Sequence, residues 1–162
     1  MRAYVGVGSN LGDRWRTLAL AAERLRADPR VAVLRASRVY ESAPMGPPQP
    51  RYLNAVLELE TAVPPRELLE LLQETERAGG RERGVRWGAR TLDLDLLLHG
   101  DTVVRTPELV VPHPGLLSRR FVLEPLDELC PDLVVPGVGQ TVRHLREAAP
   151  PFDLDPAGLY PL

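Results

Sequence analysis

The segment from Arg90 to Leu98 constrains this chain more than any other, because it alternates. Leu92, Leu94, Leu96 and Leu98 fall on one side, and Thr91, Asp93, Asp95 and Leu97 on the other. A period of two predicts a β-strand with an apolar face. Such a strand is stable only when paired in a sheet and covered on that face. Tyr52 to Thr61 repeats the pattern, with Leu53, Ala55, Leu57 and Leu59 opposed to Tyr52, Asn54, Val56, Glu58 and Glu60.

The segments between carry a different period. Ala3 to Gly8 reads as a short buried strand that breaks at Gly8-Ser9-Asn10. Leu11, Trp15, Leu18, Ala22 and Leu25 then recur at helical spacing, and Asp28-Pro29 ends the helix. Val31 to Tyr40 reads as one strand. Glu41 to Arg51 holds four prolines and a glycine and must be a loop. Pro64-Pro65 opens a second helix that buries Leu68, Leu69 and Leu72 and stops at Gly79-Gly80. His99-Gly100-Asp101 marks a turn, and Phe121–Leu129 and Thr141–Ala148 read as helices. The order β-α-β-β-α-β predicts an α+β fold, a ferredoxin-like split βαβ sandwich: a mainly antiparallel sheet with helices packed on its faces. No repeat or long linker interrupts residues 1–162, so a single domain is expected.

Charge chemistry narrows the function. All 20 residues in the Lys+Arg total are arginines, and isoleucine is also absent, a pattern that GC-rich codon usage accounts for. Without lysine there is no Schiff base, no lysine general base and no P-loop. Bound phosphate must then meet arginines, backbone amides or metal ions. A net charge of −2 disfavours bulk binding of nucleic acid. The lone Cys130 excludes an internal disulfide, and a buried structural thiol is expected. The amino terminus enters a strand directly, with no signal peptide and no long apolar span, so a cytoplasmic protein is expected.

Asp93-Leu94-Asp95 is the informative tripeptide. Carboxylates two apart on a strand share a face and can reach a common Mg²⁺, which takes one or two carboxylates plus phosphate oxygens and water. Alone, the same residues also suit a solvated acidic strand face. Asp153-Leu154-Asp155 repeats the tripeptide in a proline-rich tail, where no function is expected. Upstream of Asp93, Arg81, Arg83, Arg86 and Arg90 stand with Trp87 among Gly79, Gly80, Gly84 and Gly88. Arginines on a glycine-rich loop beside paired carboxylates are what phosphoryl chemistry needs, although such a loop alone also reads as a surface turn.

Tyr52 and Asn54 share the strand face opposite the leucines. A ring and an amide there suit a flat heterocycle, and a tyrosine also simply favours strands. Phe121, after Arg119-Arg120, either completes a stacking pair or opens a helix as core. His113, held between Pro112 and Pro114, fits a ligand contact or a structural turn. His99 and His144 read as surface residues, and Gly8-Ser9-Asn10 as a helix cap. An RNA-binding module of the same architecture would display aromatics and positive charge on its sheet, where this chain displays Asp93 and Asp95.

Taken in order, these pieces resemble a known family. Residues Arg86 to Leu97 (RWGARTLDLDLL) are similar to the signature of the 6-hydroxymethyl-7,8-dihydropterin pyrophosphokinases of folate biosynthesis. So are Gly8-Ser9-Asn10-Leu11, Tyr52-Leu53-Asn54-Ala55, Gly80-Arg81-Glu82-Arg83, Val111-Pro112-His113-Pro114 and the run from Arg119 to Leu126. The resemblance implies a ferredoxin-like fold and transfer of the β,γ-pyrophosphoryl group of ATP to the pterin hydroxymethyl oxygen, releasing AMP. It implies that Asp93 and Asp95 hold two Mg²⁺ ions, one carboxylate also being a candidate proton acceptor. Tyr52 and Phe121 match the rings that enclose the pterin. Asn54 matches the group on its polar edge, and Ser42, Pro44 and Met45 match pocket positions. Gln73, Glu76, Arg83, Trp87, Arg90, His113 and Arg119 match nucleotide contacts, and Arg81 and Arg90 match loop arginines tied to catalysis. The partners expected are therefore the two small-molecule substrates, with no nucleic acid, membrane or obligatory protein partner. Two positions depart from the pattern: Ala89 stands where proline is usual, and Gly115 where many members carry arginine.

Overall fold

A computed structural model of the chain describes residues 1–44, 48–80 and 92–162. Its elements run β1 Arg2–Ser9, α1 Arg14–Ala27, β2 Val31–Ala36, β3 Val39–Ser42, β4 Tyr52–Thr61, α2 Pro65–Gly80 and β5 Asp93–His99. The short strands β6 Val104–Arg105 and β7 Val110–Val111 follow. A 3₁₀ turn at Pro114–Leu117 leads into α3 Arg120–Leu129, α4 Val142–Ala148 and β8 Leu154–Gly158.

The main sheet is antiparallel, in the order β5-β1-β4-β3-β8, with β2 paired to the other half of the β4 edge. Reading β2 and β3 as one broken strand recovers the ferredoxin-like arrangement. The single strand expected over Val31–Tyr40 is broken at Ser37. The Ser37 amide donates to Val56 O at 2.9 Å, and its hydroxyl accepts from Val56 N. Capturing β4 through a side chain interrupts the ladder there.

Helices cover both sheet faces. Leu18, Ala22 and Leu25 of α1 and Leu68 and Leu72 of α2 pack on Ala3, Val5, Leu57, Leu59, Leu94 and Leu96. On the other face, Val122, Leu123 and Leu126 of α3 and Val142 and Leu145 of α4 pack on Tyr4, Val56, Leu97 and Leu98. Each fully buried leucine contributes on the order of 2 kcal/mol through area removed from water. Leu98 corrects the alternation read from sequence. The β1–β5 register shifts between Tyr4 and Val5, so Leu98 pairs with Tyr4 and joins Leu97 on the α3 face. A bulge moves one side chain across the sheet, and period-two counting cannot detect it.

Three local expectations change. β1 continues through Gly8 to Ser9, and the α1 cap is Asp13, whose carboxylate accepts from Arg16 N at 3.1 Å. His99 is buried, with Nε2 bonded to Val63 O at 2.8 Å, whereas His144 is exposed as expected. The Asp153-Leu154-Asp155 tail forms the edge strand β8 on β3. Cys130 is a free, partly buried thiol that donates to Leu126 O, and burial pushes its pKa up to about 12.

Glu58 on β4 is the chief buried charge. Arg35 donates to both its oxygens at 3.1 and 2.9 Å, Arg2 donates at 2.9 Å, and the Tyr4 hydroxyl at 2.9 Å. Burial alone would raise this carboxyl's pKa. The hydrogen bonds from Arg35 and Tyr4, with the charges of Arg35 and Arg2, outweigh burial and hold it below its ordinary 4.5. A carboxylate depressed in the folded state stabilises at neutral pH, and that stability is lost as pH falls through its folded pKa. Glu58→Gln is therefore expected to cost about 1–3 kcal/mol in urea unfolding at pH 7. It should also remove part of the wild-type loss of stability below pH 4.5. Superimposable acid-unfolding curves would disprove the assignment.

Candidate active site

On the face toward α3, the middle of the sheet lacks side chains. Gly6 and Gly8 of β1 lie in the ladder opposite Asp95 and Asp93 of β5, and Gly8 lies opposite Asn54 of β4 on its other side. The bare strand is thus flanked by carboxylates on one side and an amide on the other. A Cβ on Gly8 would lie 3.3 Å from Asn54 Oδ1, 3.7 Å from Tyr52 Cδ1 and 3.9 Å from Asp93 Cβ. Three chemically distinct side chains converge on the place where a side chain is missing.

This space is a cavity of about 300 Å³. Gly6 and Gly8 form its floor, Asp93 and Asp95 one wall, Tyr52, Asn54 and Ser42 the opposite wall, and Arg119 and Phe121 at the start of α3 close it above. Seven of the residues singled out in the sequence thus line one cavity, although they come from four separate elements and the cap before α3. Asn54 Nδ2 donates to Ser42 Oγ, which fixes the amide orientation from the neighbouring strand. Burial, helped by the negative charge of Asp93, raises the Tyr52 pKa, so the phenol stays neutral.

His113 precedes the 3₁₀ turn after a cis Val111-Pro112 bond, and its Nδ1 accepts from Gly115 N at 2.9 Å. With Nδ1 occupied as an acceptor, the neutral ring carries its proton on Nε2. Burial lowers its pKa, and Arg119 lowers it further, against the opposing pull of Asp95. The ring is therefore neutral at pH 7, beside two of the charged residues of the cavity, Asp95 and Arg119. Gly115, where an arginine was the family expectation, is closely approached, so a side chain there would require the His113 and Arg119 side chains to shift by a few tenths of an ångström. A Cβ there would lie 3.0 Å from His113 Nδ1 and 3.1 Å from Arg119 Cδ.

Other expected residues stand apart from the lining. Gln73 is exposed and Glu76 partly exposed on α2. That helix ends against Leu92, the residue before Asp93, with a Cβ at Gly79 placed 3.0 Å from the leucine side chain. Pro44 is half-buried just beyond Ala43, which does line the cavity. Met45, Arg81, Arg83, Trp87 and Arg90 lie outside the described residues.

Ser9 and Asn10, read as a helix cap, are instead buried, and Asn10 Nδ2 donates to Gln49 Oε1 at 2.9 Å. Sequence reasoning missed Gly6 and Gly8 as floor residues. Their signal was a Gly-x-Gly inside an otherwise buried strand, which marks a close approach of something other than a side chain. Among the described residues, no three His, Cys, Asp or Glu side chains group into a metal site. Two hard carboxylates on one face, with the rest of the coordination left to water and phosphate, is the donor set that suits Mg²⁺.

Comparisons with known proteins give the chain its relatives. The family model described as 7,8-dihydro-6-hydroxymethylpterin-pyrophosphokinase matches residues 4–131. A curated relative from Pseudomonas aeruginosa, named 2-amino-4-hydroxy-6-hydroxymethyldihydropteridine pyrophosphokinase, is 43% identical over 155 residues, covering 94% of this chain and 93% of its own. One of the same name from Bacillus subtilis is 46% identical over 129 residues, covering 79% and 77%. Among solved structures, an HPPK-DHPS in complex with substrates aligns with a TM-score of 0.71 at 12% identity, over 91% of this chain and 43% of its own. Wild-type Plasmodium falciparum HPPK-DHPS aligns at 0.67 and 14%, over 90% and 43%. At such identities the likeness concerns the fold, and this chain spans less than half the length of those solved chains.

Proposed function

The chain belongs to the 7,8-dihydro-6-hydroxymethylpterin-pyrophosphokinase family, and on that premise we infer how its residues divide the reaction. The activity is transfer of a pyrophosphoryl group from ATP to the hydroxymethyl group of 6-hydroxymethyl-7,8-dihydropterin, a step of folate biosynthesis. The observation that carries the division of labour is that the paired carboxylates and the Tyr52–Asn54 wall open onto one cavity across a glycine floor.

The pterin ring stacks between Tyr52 and Phe121, while Asn54, oriented by Ser42, hydrogen-bonds its polar edge. Pro44 and Met45 are further pterin contacts in this reading. That pose aims the hydroxymethyl oxygen across Gly8 toward Asp93 and Asp95. The oxygen attacks the β-phosphorus, the bond from that phosphorus to the bridging α-oxygen breaks, and AMP leaves. The hydroxyl proton passes to Asp93 or Asp95 or to water beside them.

Asp93 and Asp95 are also the residues to hold two Mg²⁺ ions. Magnesium supplies neutralisation of the triphosphate charge and alignment of the transferred group. Neutral His113 donates through Nε2 to a phosphate oxygen, and Arg119 adds a fixed positive charge above the cavity. Gln73, Glu76, Arg83, Trp87 and Arg90 complete the nucleotide contacts, and Arg81 and Arg90 act in catalysis and product release. With no lysine in the chain, every side-chain cation that meets the triphosphate is an arginine.

Residues 1–162 form a single domain for this activity, acting in the cytoplasm on its two small-molecule substrates without an obligatory protein partner. No helix among the described residues is long and apolar enough to cross a membrane. The decisive assay mixes protein, ATP, Mg²⁺ and the hydroxymethyl pterin and identifies the nucleotide released. AMP supports pyrophosphoryl transfer, and ADP would refute it in favour of single-phosphoryl transfer. In the same assay Tyr52→Ala is expected to raise the pterin KM about ten-fold, from lost stacking and lost area, with the ATP KM unchanged. An unaltered pterin KM would remove Tyr52 from the stack.

A further inference from the structure

Phe121, the upper ring of the site, touches a second ring. Phe152, from the carboxyl-terminal segment, lies with its centroid 5.5 Å away and its plane tilted by 46°, in the range of attractive aromatic pairs. Phe152 is half-exposed and belongs to neither core cluster, so filling the interior does not account for it.

The segment carrying it is fastened on both sides. Before Phe152, Arg120, the neighbour of Phe121, donates through Nη2 to Ala149 O at 2.8 Å and through Nε to Pro150 O at 3.3 Å. After Phe152, Arg51 grips the Asp153 carboxylate at 2.8 and 3.2 Å and also pairs with Glu41 at 3.3 Å. The Asp153 carbonyl accepts from Ala43 N at 3.0 Å, and Ala43 lines the cavity. Residues 149–153 thus brace two walls of the cavity from behind: the Phe121 ring and the strand end at Ser42-Ala43.

We propose that Phe152 is a positioning residue of the pterin site, holding the Phe121 ring in the orientation that stacks on the substrate. The tail fastened by Arg120 and Arg51 is the element that delivers it. This rests on the reading of Phe121 as a pterin-stacking ring. Phe152 meets no substrate itself. Phe121 follows the start of α3 directly and is half-buried, packed on the α3–α4 core on one side and partly open on the other. A second ring at its edge narrows its freedom before substrate arrives, and binding a preordered wall loses less entropy.

The test compares Phe121→Ala, Phe152→Ala, Phe152→Leu and Phe152→Tyr with the wild type. Pterin Kd is read by fluorescence titration, KM for each substrate and kcat from AMP release, and melting temperature from calorimetry. Phe152→Ala is expected to weaken pterin binding about three- to ten-fold, with the ATP KM and kcat within two-fold (roughly the size of one aromatic pair). Phe152→Tyr should restore affinity, because it restores the ring. Phe152→Leu should recover the melting temperature without recovering affinity, and it carries the measurement if the alanine variant does not fold. If Phe152→Leu binds pterin like the wild type while Phe121→Ala does not, Phe152 is a packing residue only and the proposal is wrong. If Phe121→Ala itself binds pterin normally, the stacking role of Phe121 falls first and the proposal falls with it.

Discussion

Asp95→Asn is expected to lower the rate of AMP formation about 10²- to 10³-fold, the usual penalty for deleting one electrostatic contact to a transferring group. The exchange keeps the shape of the side chain and removes its charge. Asp95 is exposed on β5 and sits opposite Gly6, so no packed neighbour depends on it. The melting temperature should therefore stay within a few degrees of the wild type, and pterin affinity should persist, because Tyr52, Asn54 and Phe121 are untouched. Asp93→Asn should lower the rate comparably and also shift the Tyr52 environment, since the Asp93 charge acts on that phenol. An Asp95→Asn enzyme that retains full Mg²⁺-dependent turnover would overturn the assignment of the pair.

The second large effect is expected at a residue with no functional group. Gly8→Val should weaken pterin binding about 10- to 100-fold while leaving the protein folded, the scale that overpacking a filled site imposes. The backbone there is not in the left-handed region, and valine favours strands, so β1 itself accepts the change. The cavity does not. The new Cβ would lie 3.3 Å from Asn54 Oδ1, and its two methyl groups would extend into the space between Tyr52 and Asp93. ATP binding, measured with a non-hydrolysable analogue, should change less than pterin binding. Equal losses for both substrates would mean that the sheet had been distorted rather than the pterin floor filled. Normal pterin affinity would place the ring elsewhere.

Much of the fold could be read from local pattern. β4 falls where alternation placed it, and the helices α2, α3 and α4 fall within a residue or two of the expected limits. In these segments the period of the apolar residues matches the period of the element that buries them. The failures share a cause. Leu98 changed faces at a bulge, Val31–Tyr40 broke at a serine that bonds across to β4, and His99 found a buried carbonyl partner. Each is settled by a partner strand or loop distant in sequence, which no window along the chain contains.

The candidate site divides in the same way. Asp93 and Asp95 must share a strand face whatever surrounds them, because alternation is a property of the extended backbone. The absence of lysine likewise restricts the permanently cationic side chains that can meet phosphate to arginine before any folding is considered. Sequence also suffices for the family, through a long signature and five shorter ones in fixed order.

Tertiary structure alone brings Tyr52, Asn54 and Ser42 across a glycine floor to those carboxylates, since the register between β1, β4 and β5 is a long-range pairing. It alone turns Gly6, read only as part of a strand, and Gly8, read as its break, into the floor of the cavity. It also places Phe152, 31 positions along the chain from Phe121, against that ring. Local sequence sets which way a side chain points. What it faces depends on which distant strand or tail the hydrophobic layers bring alongside.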